Sequence, residues 1–71
     1  MASKHDLPLA AMERLMKRYG ADRVGEDAKV ALRDALEDAG QELSKKAMTY
    51  ALHAGRKTIK AEDIKLAAKK H

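Results

Sequence analysis

In the stretch "HAGRKTIKAEDI" (53–64), Arg56, Lys57 and Lys60 crowd around one threonine and one isoleucine, and Glu62 and Asp63 follow at once. Cations crowded in this way are suited to holding something anionic. The same composition also suits an ordinary solvated loop, so the surrounding elements have to decide. Other chemistry is poorly provided for. There is no cysteine, hence no disulfide and no thiolate metal site, and His5, His53 and His71 do not fall at a paired ligand spacing. Neither a nucleophile–base pair nor a glycine-rich phosphate-binding motif is present. The expectation is a protein that is not an enzyme and takes no cofactor or metal.

Size limits how these residues are held. A chain of 71 residues makes one domain and buries only about 60% of its unfolded surface, so it needs help to be stable. Without disulfide or metal, oligomerisation is the remaining common remedy. Fifteen lysines and arginines against eleven acids leave a formal charge of +4, a balance that favours polyanionic partners. Residues 1–4 lack the apolar core of a signal peptide, and no run approaches the ~20 apolar residues of a spanning helix. A soluble, intracellular protein without a membrane partner is expected.

Strand formers are scarce while alanine, leucine, lysine and glutamate dominate, so the fold class is all-α. The first helix is predicted from about Pro8 to Arg18, with Asp6 as its cap and Leu9, Met12, Leu15, Met16 and Tyr19 as a buried stripe. Gly20 suits its C-terminus. A long second helix is predicted from about Glu26 to Ala54. Its apolar stripe runs through Ala28, Leu32, Ala35, Leu36, Ala39, Leu43, Ala47, Tyr50, Ala51 and Ala54, and Gly40 interrupts it at roughly 1 kcal/mol. A third helix, from about Ala61 to Lys70, carries Glu62 and Asp63 in its first turn and lysines in its last, the polarity its dipole favours. At 1.5 Å per residue the central helix would be about 43 Å long, whereas a compact globule of this size is only about 30 Å across. Two short helices cannot cover such a stripe, so an obligate dimer with crossed long helices is predicted.

The short–long–short outline, with "DLPLAAMERLMKRYGADRVGEDA" (6–28) and "HAGRKTIKAEDIKLA" (53–67), resembles the archaeal histones. The likeness covers essentially the whole chain after residue 5, leaving residues 1–5 as a short flexible extension ahead of a histone-fold domain at 6–71. It implies a handshake homodimer in which the loop near Arg23–Gly25 pairs with the partner's loop near Lys57–Lys60, with Val24 and Ile59 in the bridge. It also implies a sequence-nonspecific, architectural DNA-binding protein, in the cytoplasm and associated with the nucleoid. Carried over by residue, Arg14 is similar to a minor-groove arginine, Arg23 to a DNA-reaching arginine of the first loop, and Lys57, Thr58 and Lys60 to a phosphate-contacting set. Lys17 is a weaker phosphate candidate.

The resemblance further implies an internal Arg56–Asp63 salt bridge and a dimer–dimer contact through Tyr50, His53, Asp63 and Leu66. Stacking of superhelical turns would involve Gly20, Asp34, Asp38, Lys65 and Lys69. The partners so implied are double-stranded DNA, a second copy or a paralogous histone, and higher oligomers on DNA. Leu52 stands where the family often has a basic residue, Gly25 where it often has a capping serine, and Met12 and Met16 where branched aliphatics are usual. The competing function is a histone-fold interaction subunit of a transcription or chromosome complex.

Overall fold

The computed structural model describes residues 6–69. The expected 1–5 extension, His5, Lys70 and His71 lie outside the described residues. Three helices follow in chain order, α1 (Leu9–Arg18), α2 (Glu26–His53) and α3 (Ala61–Lys69), and no strand occurs among the described residues. The all-α, short–long–short expectation holds. The chain divides into two compact units after Asp38, within α2, and each is a helix–loop–helix.

In the first unit, α1 starts one residue later than expected. Pro8 is its N-cap, with φ −77° and ψ 143°, and no side chain caps the turn. The expected Asp6 cap is therefore corrected: Asp6 lies two residues ahead of the N-cap, whereas a capping side chain must reach N–H groups two or three residues after itself. The segment before α1 is fastened by the Leu7 N–H, which donates to Glu37 Oε2 at 2.9 Å. Of the predicted α1 stripe, Met12 is buried and Leu9, Leu15 and Met16 are half-buried. Tyr19 departs from it altogether and is 80% exposed. The reason is local, because Tyr19 is the C-cap, with φ −101° and ψ 19°, and its backbone has already left the helix that would have turned it inward.

α1 ends in a Schellman motif. The Gly20 N–H donates to the Lys17 carbonyl and the Ala21 N–H to the Met16 carbonyl, each at 3.1 Å. The motif needs a left-handed residue after the cap, which Gly20 supplies at φ +115°. In the second unit α2 ends the same way. Gly55, at φ +76°, donates to the Leu52 carbonyl and the Arg56 N–H to the Ala51 carbonyl, both at 2.9 Å. Ala54, expected as the last helical residue, is the cap.

Only Met12, Ala47, Ala51 and Ala67 are buried among the described apolar side chains, and no large side chain is fully enclosed. On α2 the predicted stripe is enclosed only at Ala47 and Ala51. Leu32, Leu43 and Tyr50 are half-covered, while Ala28, Ala35, Leu36, Ala39 and Ala54 are exposed. Ala39, Glu42, Leu43 and Lys46 line an open groove along α2 within the second unit. The periodicity is that of a buried face, yet the chain on its own leaves most of that face uncovered. Each unit supplies only one short helix, of ten residues in α1 and nine in α3, which is about 13–15 Å of covering length.

Candidate nucleic-acid interface

The loop at 54–60 is shaped from the inside by one arginine. The Schellman turn at Gly55 delivers Arg56 to the start of the loop, where its guanidinium meets the Asp63 carboxylate in a two-point contact. Arg56 Nη1 donates to Asp63 Oδ2 at 3.0 Å and Nη2 donates to Oδ1 at 3.1 Å. Nη1 also donates to the Thr58 carbonyl at 2.8 Å, and Glu62 lies 3.7 Å from Nη2. Fork-to-fork pairing of this kind fixes direction as well as distance. Asp63 in turn accepts from the Lys60 N–H at 2.8 Å, so it reaches back from the first turn of α3 to the N-cap residue in half of a capping box.

Asp63 is buried, 4% exposed, and its carboxyl sits below the usual range. The Arg56 hydrogen bond is the largest cause, the Lys60 N–H the next, and burial opposes both. Arg56 is held above its ordinary value mainly by the same hydrogen bond. This arrangement consumes Arg56 inward and leaves Lys57, Thr58, Ile59 and Lys60 exposed. The cluster is thus divided by function: one cation is structural and two are presented to solvent. Because the Lys60 N–H is spent on the clamp, the donors the loop keeps for an incoming anion include the Lys57 and Lys60 ammoniums and the Thr58 hydroxyl.

The first unit sorts its cations in the same manner. Glu13 Oε2 lies 3.2 Å from Lys17 Nζ, and Glu13 Oε1 lies 3.3 Å from Lys29 Nζ. Lys29 also donates to Glu26 Oε2 at 2.9 Å, so the chain Lys17–Glu13–Lys29–Glu26 ties α1 to the start of α2. The Glu13 carboxyl is lowered, first by its hydrogen bond to Lys17 and then by that to Lys29. Lys29 is raised, first by Glu26 and then by Glu13. Sequence reasoning missed Lys29 and Glu13, whose only signal was an i,i+4 and an i,i+3 acid–lysine spacing within the helices. Arg14, by contrast, has only Ala10, Ala11, Lys17 and Arg18 one turn away. It is exposed and makes no ion pair with a described residue, and the same is true of Arg23 in the loop. Lys17, half-exposed and engaged by Glu13, would have to exchange that partner for a phosphate.

The remaining expected residues are placed as follows. Tyr50 is half-buried, while His53 and Leu66 are exposed. Both oxygens of Asp63 already accept hydrogen bonds within the chain, so little of it remains for a neighbouring dimer. Gly20, Asp34, Asp38, Lys65 and Lys69 are exposed, and Asp34 lies 3.5 Å from Arg33 Nε. Gly20 is required by its own helix cap whatever else approaches it. Arg33, which drew no attention in the sequence, has its Nε enclosed without a hydrogen-bond partner, since the Asp34 contact is too long and poorly directed to count as one. Among the described residues no cluster of His, Cys, Asp or Glu converges as a metal site. No helix there is long and apolar enough to cross a membrane.

Comparison with known proteins decides the family. Residues 5–68 match the family described as histone-like transcription factor (CBF/NF-Y) and archaeal histone. The chain belongs to this histone-fold family. It is 53% identical over 64 residues to a subunit of the archaeal histone HAN1 from Thermococcus zilligii, covering 90% of this chain and 96% of that protein. It is 44% identical over 62 residues to probable archaeal histone 3 of Methanocaldococcus jannaschii, covering 87% and 92%. With the family settled, the histone fold expected from the two loop blocks stands, and the protein is architectural rather than enzymatic.

The Arg56–Asp63 contact makes stability depend on acid in a definite direction. A carboxyl whose folded pKa is depressed stabilises the fold above its unfolded value, and that contribution is lost as pH falls through the folded value. Urea denaturation should therefore show stability falling below about pH 4, the ordinary carboxylate range. Asp63→Asn should be less stable than the parent at pH 7 and should lose less on acidification. Equal slopes for the two proteins in the acid range would contradict this account of Asp63.

Proposed function

We propose that this DNA-binding architectural histone-fold protein acts as a homodimer that holds duplex DNA through its phosphates and narrow minor groove, without reading sequence. One observation carries the proposal: Arg14, Arg23, Lys57 and Lys60 are all exposed and make no ion pair with a described residue, while Glu13 beside Arg14 and both acids after Lys60, Glu62 and Asp63, are paired within the chain. The remaining acid in these two stretches is Asp22, beside Arg23. In this assignment Lys57, Thr58 and Lys60 seat a phosphate, Arg23 reaches DNA from the other loop, and Lys17 is a secondary contact. Arg14 enters the minor groove, where a flat, weakly hydrated cation is favoured. The chain contains no asparagine and a single glutamine, Gln41, so the usual side chains for adenine readout are nearly absent.

The homodimer is supported by what a single chain leaves unfinished. The groove at Ala39, Glu42, Leu43 and Lys46, the exposed Leu36 and the orphaned Arg33 Nε all lie on α2, the element that a second copy would cross. Loop-to-loop pairing through Val24 and Ile59 would complete the handshake. Beyond the dimer, Tyr50, His53, Leu66 and part of Asp63 form the proposed dimer–dimer contact, next to the exposed Leu52. Gly20, Asp34, Asp38, Lys65 and Lys69 are the proposed stacking positions in a chromosome-associated array. The Thermococcus zilligii relative is named as one subunit of its histone, which favours pairing with a paralogous histone as the second reading.

Affinity for a random duplex should fall steeply as salt rises, since each phosphate contact contributes a slope of about −0.9 in log affinity against log salt. Lys57→Ala, removed from both copies of a dimer, should flatten that slope by about 1.8; a salt-independent affinity would contradict the DNA assignment. Nuclease digestion of the same complexes reads the assembly. A growing array gives a ladder of discrete steps, and Leu52→Arg should shift it by placing charge at an apolar contact. An unchanged ladder would remove Leu52 from that interface.

A further inference from the structure

Tyr19 is the most exposed of the large apolar side chains among the described residues, and neither the family assignment nor the proposed phosphate contacts give it a task. Single exposed apolar residues are common, so exposure alone means little. What distinguishes Tyr19 is how it is held and what surrounds it in the chain. It is not on a loose loop. Its own N–H donates to the Met16 carbonyl at 3.2 Å, and the two residues after it close the Schellman turn onto Lys17 and Met16. The backbone that carries the ring is therefore fixed by the end of α1. An added Cβ at Gly20 would meet nothing within 4 Å, so the space beside the cap is open.

The chemistry around the ring selects the occupant. The stretch "RLMKRYGADR" (14–23) holds Arg14, Lys17, Arg18 and Arg23 against the single acid Asp22. A second copy approaching with the same stretch would bring like charges together. A polyanion would be attracted, and a tyrosine offers it both an apolar ring for a sugar and a hydroxyl that donates to a phosphate oxygen.

We propose that Tyr19, fixed on the cap of α1 amid the basic stretch 14–23, packs against and donates its hydroxyl to the sugar–phosphate backbone of bound duplex DNA. This rests on the DNA-binding proposal above and adds an uncharged contact to it. An uncharged contact releases no counterion, so its removal lowers affinity at every salt concentration without changing the salt slope. The cationic contacts behave in the opposite way, because losing one of them flattens the slope.

The test uses the full chain and a random duplex of about 60 base pairs, roughly 200 Å of DNA at 3.4 Å per pair and so much longer than one protein. Binding is followed by anisotropy of a labelled duplex across a salt series, after urea denaturation has shown each variant folded. Tyr19→Phe should bind roughly threefold more weakly and Tyr19→Ala about tenfold more weakly, as expected for a lost hydrogen bond and then a lost ring. Both should keep the parent salt slope. The chain has two tyrosines and no tryptophan, so parent emission minus that of Tyr19→Phe reports Tyr19 directly, and duplex DNA should quench it. Parent-like affinity of Tyr19→Ala with unquenched Tyr19 emission would overturn the inference while leaving the DNA proposal standing. Emission that instead changes with protein concentration in the absence of DNA, over a range in which sedimentation shows the dimer intact, would also overturn it, in favour of a contact between dimers. Failure of the parent protein itself to bind would bring down the DNA proposal and this inference together.

Discussion

The fold depends on a mismatch between one helix and the chain that must cover it. α2 runs 28 residues with an apolar face along most of its length, and the described residues supply only two short helices beside it. Packing a large apolar side chain stabilises a fold by about 1.5–3 kcal/mol when burial is complete. Among the described residues the buried apolar set is one methionine and three alanines. The chain has no cysteine for a disulfide, and in the proposed homodimer a second copy would supply the missing cover. Association and stability would then be the same equilibrium. The orphaned Arg33 donor points the same way, because a buried N–H without a partner is costly in a finished interior.

Within each unit, ion pairing decides which charges remain uncommitted. Asp63 draws Arg56 inward, and Glu13 holds Lys17 and Lys29. Around the two loops the charges left over are mostly cationic, Arg14, Arg18, Arg23, Lys57 and Lys60 against Asp22, although the whole chain is only +4. The pairs leave the net charge unchanged and settle which cations near the loops remain uncommitted. The same pairs stiffen the elements that carry the free cations, since the Arg56–Asp63 fork sets the loop at 54–60 and the Glu13–Lys29 contact ties α1 to α2. Prearranged cations lose less side-chain freedom on binding than mobile ones would.

Much of this was legible in the chain. Helix periodicity and the glycines placed all three helices to within a residue, because a 3.6-residue stripe and a left-handed cap are local properties. Gly20 and Gly55 are where the two Schellman motifs close. The loop blocks at 6–28 and 53–67 carried the family, which periodicity could not have supplied. Other features were beyond local rules. A stripe shows that a face must be buried but not by which chain, and so Leu36 and Ala39 read as core yet stand open. Tyr19 fits the stripe by spacing and escapes it because the helix ends at that residue. The Asp6 cap failed by a shift of two positions, the sort of boundary detail that composition does not determine. Arg33 gave no signal at all, since a buried unpaired donor is defined only by its surroundings.

The central claim, that a second copy completes the fold, is tested most directly by following helix content and mass of the lone chain together over a hundredfold dilution. Circular dichroism melts paired with sedimentation at each concentration give both quantities. The account predicts a dimer whose melting midpoint falls steadily on dilution, with helix content lost as the dimer dissociates. A folded monomer whose midpoint does not move with concentration would contradict it.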